Sequence, residues 1–239
     1  MIEYRNVSKK YGKNIGVADI TLRIENGEFV FLVGPSGAGK STFVKLLLKL
    51  EDADRGRIIY NGYDVTKLKP RMVPKHRRSM GIVFQTFEVL PKKTVFENIA
   101  FAMEIVQRPR RIIKKQVPKI LELVGISDLA KKYPTEISIG ELQRVAIARA
   151  IVNNPRVLIA DEPTGNLDPD TGWEIMRLLE QINRRGTTVI MVTHSREIVN
   201  AMNKRVIAIR EGRIVRDEAG GFYHPEELGV PSPSDEEGE

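Results

Sequence analysis

The stretch Gly34-Pro35-Ser36-Gly37-Ala38-Gly39-Lys40-Ser41 decides the fold of this chain. A glycine, four further residues and then Gly-Lys-Ser form the P-loop pattern of phosphate-binding proteins. The apolar run at 29–33 predicts a buried strand before the loop, and apolar residues at helical spacing predict a helix over 42–50 after it. The motif requires this strand–loop–helix context. A glycine-rich turn that binds nothing would not need both flanks.

The residue types of this loop suit a nucleoside triphosphate. Glycines let the backbone curl so that successive N–H groups point at phosphate oxygens, and the helix N-terminus adds its partial positive charge. Lys40 is expected to reach the β- and γ-phosphates, and the Ser41 hydroxyl to ligate Mg²⁺. The candidate ATP ligands here are Gly34, Pro35, Ser36, Gly37, Ala38, Gly39, Lys40, Ser41 and Thr42.

Two acidic residues, Asp161 and Glu162, follow an apolar strand predicted at 157–160. Downstream of a P-loop this is the Walker B arrangement, in which Asp161 holds Mg²⁺ and Glu162 accepts a proton from the attacking water. The alternative is a carboxylate that caps a helix N-terminus. His194 comes after the next predicted strand, where a histidine can reach the γ-phosphate.

Composition indicates a soluble globular protein with a sizeable core. Of its 239 residues, 41% are hydrophobic, 29% are charged and none is cysteine, which excludes disulfides and cysteine metal sites. No apolar run approaches the roughly 18 residues of a membrane span, and the N-terminus lacks a signal-peptide core. We therefore expect a cytosolic chain with no transmembrane segment of its own.

The net charge of +7 is unevenly distributed. Basic residues cluster at 67–78 and 108–115, and such a surface suits nucleic acid or an anionic membrane, or is simply a solvated face. The segment 231–239 is rich in proline, serine and acidic residues and is expected to be a disordered tail.

The order of predicted elements indicates an α/β fold in a single domain at 1–230. Strands are expected at 2–7, 15–24 and 57–60, with Asn26-Gly27 as a hairpin turn into the P-loop strand. Helical patterns from about 94 to 153 interrupt the alternation of strands and helices, which predicts an inserted helical subdomain at about 87–153.

Two further residues lie where a nucleotide would be contacted. Tyr11 lies in the connection between the first two predicted strands, where its ring either stacks on a base or covers the sheet edge. Gln85 follows a compact apolar strand, at the end where ligand contacts gather in open α/β sheets.

These motifs, together with three more stretches, resemble the nucleotide-binding domain of ABC transporters. The full set is Gly34–Ser41, Gln85, Ser138-Ile139-Gly140-Glu141, Asp161-Glu162, Asn166-Leu167-Asp168 and His194. The resemblance covers about residues 1–216. It implies a P-loop NTPase of the ABC ATPase fold, with a RecA-like parallel sheet, an antiparallel β-subdomain and an inserted helical subdomain.

The resemblance also implies roles for single residues. Tyr11 would stack on adenine, and Gln85 would contact Mg²⁺ and sense the attacking water. Ser138 and Gly140 would cap the γ-phosphate of the opposite subunit in an ATP-bound homodimer, and Asp168 would couple the two sites. The sequence departs from the family's Leu-Ser-Gly-Gly-Gln/Glu-Gln signature because Ile139 replaces its first glycine and Leu142 its last glutamine.

The stretch 161–168 resembles the branch of that family that contains lipoprotein-release, macrolide-export and cell-division ATPases. Within this branch, the stretches at 73–78, 90–95, 173–176 and 205–209 are similar to the FtsE-type cell-division ATPases. This implies a membrane partner of the FtsX type at the cytoplasmic face of the plasma membrane and, indirectly, an extracellular peptidoglycan hydrolase. Phe87, Val89 and Leu90 form an apolar cluster that is expected to receive a short helix of that partner. The alternative is that these three residues pack under the helical subdomain.

Two other functions stay open at this point. An ATPase subunit of a related importer or exporter, of the lipoprotein-release, macrolide-export or amino-acid-import type, would use the same site residues. The basic surface also suits a nucleic-acid-associated ABC protein, but such proteins usually carry two ATP domains and this chain has one P-loop. No direct contact with nucleic acid is therefore expected.

Overall fold

The computed structural model describes residues 1–225, so the predicted acidic tail at 231–239 lies outside the described residues. The chain divides into two compact units. Among the described residues, the first unit comprises residues 1–77 together with 190–225, and the second unit comprises residues 78–189.

The elements follow one another in a mixed order of strands and helices. The chain begins with β1 (Ile2–Tyr11), β2 (Asn14–Ile24), β3 (Phe29–Val33), α1 (Lys40–Leu47), β4 (Arg55–Tyr60), β5 (Tyr63–Asp64) and α2 (Val73–Arg77). It continues with β6 (Met80–Val83), α3 (Val95–Ile105), α4 (Arg110–Leu123), α5 (Ile139–Ile151), β7 (Val157–Asp161), α6 (Pro169–Arg184) and β8 (Thr188–Val192). It ends with α7 (Arg196–Met202), β9 (Arg205–Arg210) and β10 (Arg213–Glu218).

Four strands of the first unit form an antiparallel sheet in the order β2-β1-β4-β5. Buried Tyr4 of β1 ties this sheet to the helix after the P-loop, because its ring stacks on Phe43 at 4.2 Å and its hydroxyl donates to the Phe43 carbonyl at 2.9 Å. The sheet therefore supports α1 from one side.

The expected hairpin at Asn26-Gly27 is wrong. The chain does turn there, with Gly27 at φ +80°, but β2 pairs with β1 whereas β3 belongs to a different sheet. A turn motif predicts the local backbone conformation, but it does not predict which sheet the next strand joins. The turn at Asn61-Gly62, in contrast, does connect two paired strands, β4 and β5.

The second sheet carries the P-loop strand. In the first unit its order is β10-β9-β3-β8, and β3 runs parallel to β9 with Val30 opposite Arg205. Every residue of β3 is buried, as its continuous apolar run predicted. Strand β8 crosses the boundary between the units, and in the second unit the order is β8-β7-β6, with β6 and β7 parallel.

Three helices of the second unit, α3, α4 and α5, lie between β6 and β7 in the sequence. Helices α3 and α4 each bury one apolar face, through Ile99 and Met103 and through Val117 and Leu121. Helix α5 is buried around more of its circumference, through Val145, Ala146 and Ile147. Within residues 1–225, no helix combines the length and the apolar character that a membrane span needs.

Candidate functional site

Two of the three P-loop glycines, Gly34 and Gly39, sit where the backbone of other strands leaves no room for a side chain, whereas nothing lies within 4 Å of a Cβ on Gly37. A Cβ on Gly34 would lie 2.2 Å from the carbonyl oxygen of Ile209, and a Cβ on Gly39 would lie 2.3 Å from that of Gly16. Gly39 also has φ +111°, which L-residues rarely adopt. Close packing and backbone conformation therefore both demand glycine at these positions.

Lys40 bonds the loop itself in this structure. Its ammonium donates to the carbonyl of Gly34 at 2.6 Å and to that of Pro35 at 2.9 Å. The loop is further held because Gly212 donates its backbone N–H to Ala38 at 2.8 Å. A phosphate bound in the loop would compete with the two carbonyls for the lysine ammonium.

Tyr11 lies at the end of β1 and close to the first turn of α1. A Cβ on Gly16 would meet both Tyr11 Cε2, at 2.8 Å, and Thr42 Cγ2, at 2.9 Å. The tyrosine is 39% exposed, and the Lys9 ammonium lies 5.5 Å from the ring centroid. An exposed ring beside the P-loop helix suits a stacking platform for a base, and this role stays a prediction.

His194 follows β8 at the end of the sheet where the P-loop begins. Buried Thr193 donates its backbone N–H to Leu32 at 3.3 Å, one residue before the end of β3. Its hydroxyl accepts from the N–H of Ser195, which in turn caps α7. The exposed His194 is thus fixed between two anchored neighbours.

The acidic pair in the second unit ends the buried strand β7. Asp161 is its last residue, and Glu162 follows with φ +47°, a left-handed conformation that is unfavourable for a residue other than glycine. The Glu162 carbonyl accepts from the N–H of Gly165 at 3.1 Å, which closes a turn. An abrupt change of backbone conformation therefore separates Asp161 from Glu162.

Gln85 lies beside this acidic turn. A Cβ on Gly165 would lie 3.7 Å from both Gln85 Nε2 and Glu162 Cβ. Asn166 also donates Nδ2 to the Gln85 carbonyl at 3.4 Å. Since Val83 of β6 pairs with Ala160 of β7, both strands end at the same edge, and the second unit brings Gln85 and Glu162 together.

Ser138 begins helix α5 and is held by a capping box with Glu141. The serine hydroxyl accepts from the Glu141 N–H at 3.3 Å, and the glutamate accepts from the Ser138 N–H at 2.7 Å. Ile139 is 52% exposed, so its side chain does not pack into the core of the second unit. It therefore stands at the open N-terminus of the helix.

The start of α5 touches the start of α6. A Cβ on Gly140 would lie 2.5 Å from Thr171 Cγ2, so glycine permits this close approach. Asp168 caps α6 by accepting from the Thr171 N–H at 3.0 Å. Hydrogen bonds from the Thr171 side chain and backbone lower the pKa of the Asp168 carboxyl. The structure thus brings Gly140, predicted to cap the γ-phosphate of the opposite subunit, close to Asp168, predicted to couple the two sites.

Sequence reasoning did not single out Gln143, which links α5 to the acidic turn. It is 1% exposed and donates Nε2 to the Pro163 carbonyl at 2.7 Å. The sequence did contain one indication that Gln143 is buried. It precedes the apolar residues Ile147 and Ile151 at four-residue steps, which places it on the same buried face of the helix.

The metal ligands expected from the sequence are a hydroxyl, an amide oxygen and a carboxylate, from Ser41, Gln85 and Asp161. These are hard oxygen donors of the kind that suits Mg²⁺. Within residues 1–225, no group of three or more His, Cys, Asp or Glu side chains could hold a metal. Mg²⁺ in ATPase sites usually keeps several waters and uses substrate phosphates as ligands, so a small protein ligand set fits it.

The family model for ABC transporters matches residues 17–165, which is more than half of the chain. The chain belongs to the ABC transporter family. As a member of this family it is an ABC-type ATPase, which confirms the α/β P-loop fold and the enzyme class predicted from the sequence. The roles of the single site residues remain predictions.

Several curated relatives share most of their length with this chain. It is 54% identical over 224 residues to the cell division ATP-binding protein FtsE of Streptococcus pneumoniae, covering 93% of this chain and 97% of the relative. The FtsE of Bacillus subtilis is also 54% identical, with 93% and 98% covered. That of Escherichia coli is 42% identical over 225 residues, with 94% and 100% covered. The resemblance to FtsE-type proteins is therefore confirmed.

Solved ABC structures show the same fold. A dimeric ATP-binding cassette in a post-hydrolysis state, bound to ADP and Pi, matches with a TM-score of 0.82 at 33% identity, covering 93% of this chain and all of that one. A part of the cbiONQ ABC transporter complex from Clostridium perfringens matches with a TM-score of 0.86 at 30% identity, with 92% and 88% covered.

Replacing Glu162 by glutamine tests its predicted role as the general base. Glu162→Gln should keep ATP binding, because the side chain keeps its size, and should lower the steady-state rate of hydrolysis by about a hundredfold or more. The ATP-bound dimer should persist. Glu122→Gln, at an exposed position of α4, is the matched control and should hydrolyse ATP normally. A parental rate for Glu162→Gln would show that Glu162 is not the base.

The exposed side chain of Ile139 leads to a second prediction. A branched side chain at the helix N-terminus should hold back the phosphate of an opposite subunit, whereas glycine lets backbone approach phosphate closely. Restoring the family pattern with Ile139→Gly and Leu142→Gln should raise the steady-state rate of hydrolysis by about tenfold. This factor corresponds to regaining one charge-assisted hydrogen bond that the parent lacks. Steady-state rates and the dimer population with ATP are the measurements. If both stay unchanged, the departure from the signature is neutral.

Proposed function

We propose that this chain is the ATP-binding and ATP-hydrolysing subunit of an FtsE-type complex in bacterial cell division. The observation that carries the proposal is the identity of 42–54% to proteins named FtsE over more than nine tenths of the chain. In this proposal the protein dimerises on ATP, with Mg²⁺ as the metal, and drives a membrane protein of the FtsX type. That partner in turn switches on an extracellular peptidoglycan hydrolase.

The proposed cycle uses the residues of each unit in turn. The P-loop holds the phosphates, Tyr11 stacks on adenine, and Ser41, Gln85 and Asp161 hold Mg²⁺ when it is bound. A bound Mg²⁺ would neutralise charge on the phosphates. Glu162 takes the proton of the attacking water, and His194 contacts the γ-phosphate.

Dimerisation completes each site in this proposal. Ser138 and Gly140 cap the γ-phosphate bound to the opposite subunit, where the N-terminus of α5 supplies N–H donors. Asp168, one helix away, couples the two sites. The contact between the starts of α5 and α6 supports a shared role for Gly140 and Asp168.

The proposed docking site for the membrane partner is an apolar groove in the second unit. It has a volume of about 400 Å³. Its apolar lining includes Met80, Ile82, Phe84, Leu90, Phe101 and Ile105. Of the three residues predicted from the sequence, Leu90 lines this groove, whereas Phe87 and Val89 do not. Phe84 and Ile105 are 41% and 44% exposed, which is unusual for large apolar side chains and is typical of an interaction surface. We place the protein at the cytoplasmic face of the plasma membrane, attached through this partner.

A second candidate function is the ATPase subunit of a related transporter. It is favoured by the structural match to a part of the cbiONQ ABC transporter complex. Both functions use the same ATP site, so only the partner separates them. Affinity capture from membranes in mild detergent should recover an FtsX-type protein if the first function holds, and a polytopic permease if the second does.

A charge at Leu90 tests the docking groove. Leu90→Glu places a carboxylate in an apolar lining, so it should abolish co-capture of the membrane partner while ATP binding by the isolated protein and the far-UV circular dichroism spectrum stay normal. Ile112→Glu, at a 44% exposed residue of α4 outside the groove lining, is the matched control and should retain the partner. Equal capture by both variants would argue against this docking site.

A further inference from the structure

The loop that follows Gln85 is held by side chains from other elements of the second unit. Asn166 donates to the Gln85 carbonyl. Arg149, in the last turn of α5, donates to the carbonyls of Phe87 and Glu88. The backbone between Gln85 and Glu88 is thus bonded from both sides by residues far away in the sequence.

The end of this loop is anchored by a third side chain. Asn98 of α3 is completely buried, accepts from the N–H of Leu90 at 2.7 Å and donates to its carbonyl at 3.1 Å. Since a buried amide that loses its partners is strongly unfavourable, this anchor is firm. The loop can therefore change shape chiefly between Gln85 and Leu90, where Arg149 holds it.

The two bonds from Arg149 need an arginine. Nη2 donates to Phe87 at 2.8 Å and Nη1 donates to the neighbouring carbonyl of Glu88. A planar guanidinium offers two donors in a fixed geometry, which a lysine ammonium cannot reproduce. Burial lowers the pKa of Arg149, so the charged group has given up water and relies on these carbonyls.

The segment that Arg149 holds has an unfavourable backbone. Phe87 and Glu88 have φ values of +48° and +52°, in the left-handed region. Residues with large side chains adopt this conformation only where their surroundings impose it. Without the two bonds from Arg149, Phe87 and Glu88 would relax toward ordinary conformations and the chain on both sides of them would move.

Gln85 is the residue that such a movement would affect. It precedes Phe87 by two positions, and its side chain lies beside the turn that Glu162 begins. A shift of about 1 Å in a catalytic group can cost on the order of a hundredfold in rate. Arg149 also lines the docking groove together with Glu88 and Leu90, so a helix seated there would touch both the guanidinium and the loop that it holds.

We infer that Arg149 is a positioning residue for ATP hydrolysis, which sets the direction of Gln85 by bonding the backbone of Phe87 and Glu88. This inference rests on the proposed role of Gln85 toward Mg²⁺ and the attacking water. It adds a residue on the signature helix to the machinery that surrounds Glu162. It also gives the docking groove a direct physical connection to the ATP site.

A double-mutant cycle in the full-length protein tests the inference. The variants are Arg149→Lys, Gln85→Ala and the combination of both, with kcat and the Kd for ATP measured for each. Arg149→Lys should lower kcat by about tenfold and leave the Kd for ATP within about twofold, because the P-loop is untouched. In the Gln85→Ala background, Arg149→Lys should cause no further loss of kcat, because both changes act through the side chain of Gln85.

Hydrogen exchange supplies a readout that does not depend on activity. The amides of residues 85–90 should exchange faster in Arg149→Lys than in the parent, while those of α5 keep their protection. Arg205→Lys is the matched control: that arginine is also half-buried and bonds Glu28 and Asp217 in the first unit. It should leave both kcat and the exchange of residues 85–90 unchanged.

The possible failures are distinguishable. If Gln85→Ala keeps the parental kcat, the proposed role of Gln85 is wrong and the inference falls with it. If Gln85→Ala lowers kcat but Arg149→Lys lowers it by the same factor in both backgrounds, Gln85 keeps its role and only the inference on Arg149 is overturned. Should Arg149→Lys fail to fold, Arg149→Gln, whose amide keeps one donor, enters the same cycle.

Discussion

Two backbone carbonyls press against the loop between β3 and α1 and leave space only for glycine. The carbonyl of Ile209 faces Gly34, and that of Gly16 faces Gly39. They come from β9 and β2, so both sheets of the first unit shape the loop. Because the loop is already curled before any nucleotide arrives, little conformational entropy is lost when phosphate binds. The P-loop is therefore a product of tertiary packing as well as of its own sequence.

The second unit also uses backbone conformations that isolated residues avoid. Glu162, Phe87 and Glu88 all lie in the left-handed region. Glu162 is itself the proposed general base, and Phe87 and Glu88 follow Gln85 by two and three positions. Hydrogen bonds from Gly165 and Arg149 hold them there. Such strain persists where the surrounding structure enforces it, and it is concentrated at functional sites. These unfavourable backbone conformations lower the local stability, and in the proposed mechanism they position the Glu162 carboxylate and the Gln85 amide.

Local patterns in the sequence predicted the parts of the structure that depend on local chemistry. The glycine spacing of the P-loop and the buried strand β3 both follow from short stretches. Long-range pairing was not predictable. The turn at Asn26-Gly27 gave no sign that β2 and β3 join different sheets, and no local pattern pointed to the bonds of Arg149. Its carbonyl partners lie 61 and 62 residues away.

The measurement that tests the account most directly is calorimetric titration of ATP with Mg²⁺ into Gly39→Ala and Gly27→Ala. Both glycines have positive φ, but only a Cβ at Gly39 meets a carbonyl, whereas nothing lies within 4 Å of one at Gly27. If packing shapes the P-loop, folded Gly39→Ala should bind ATP at least about tenfold more weakly than the parent, a loss of about 1.4 kcal/mol, and Gly27→Ala should bind normally. Parental affinity in folded Gly39→Ala would contradict the account.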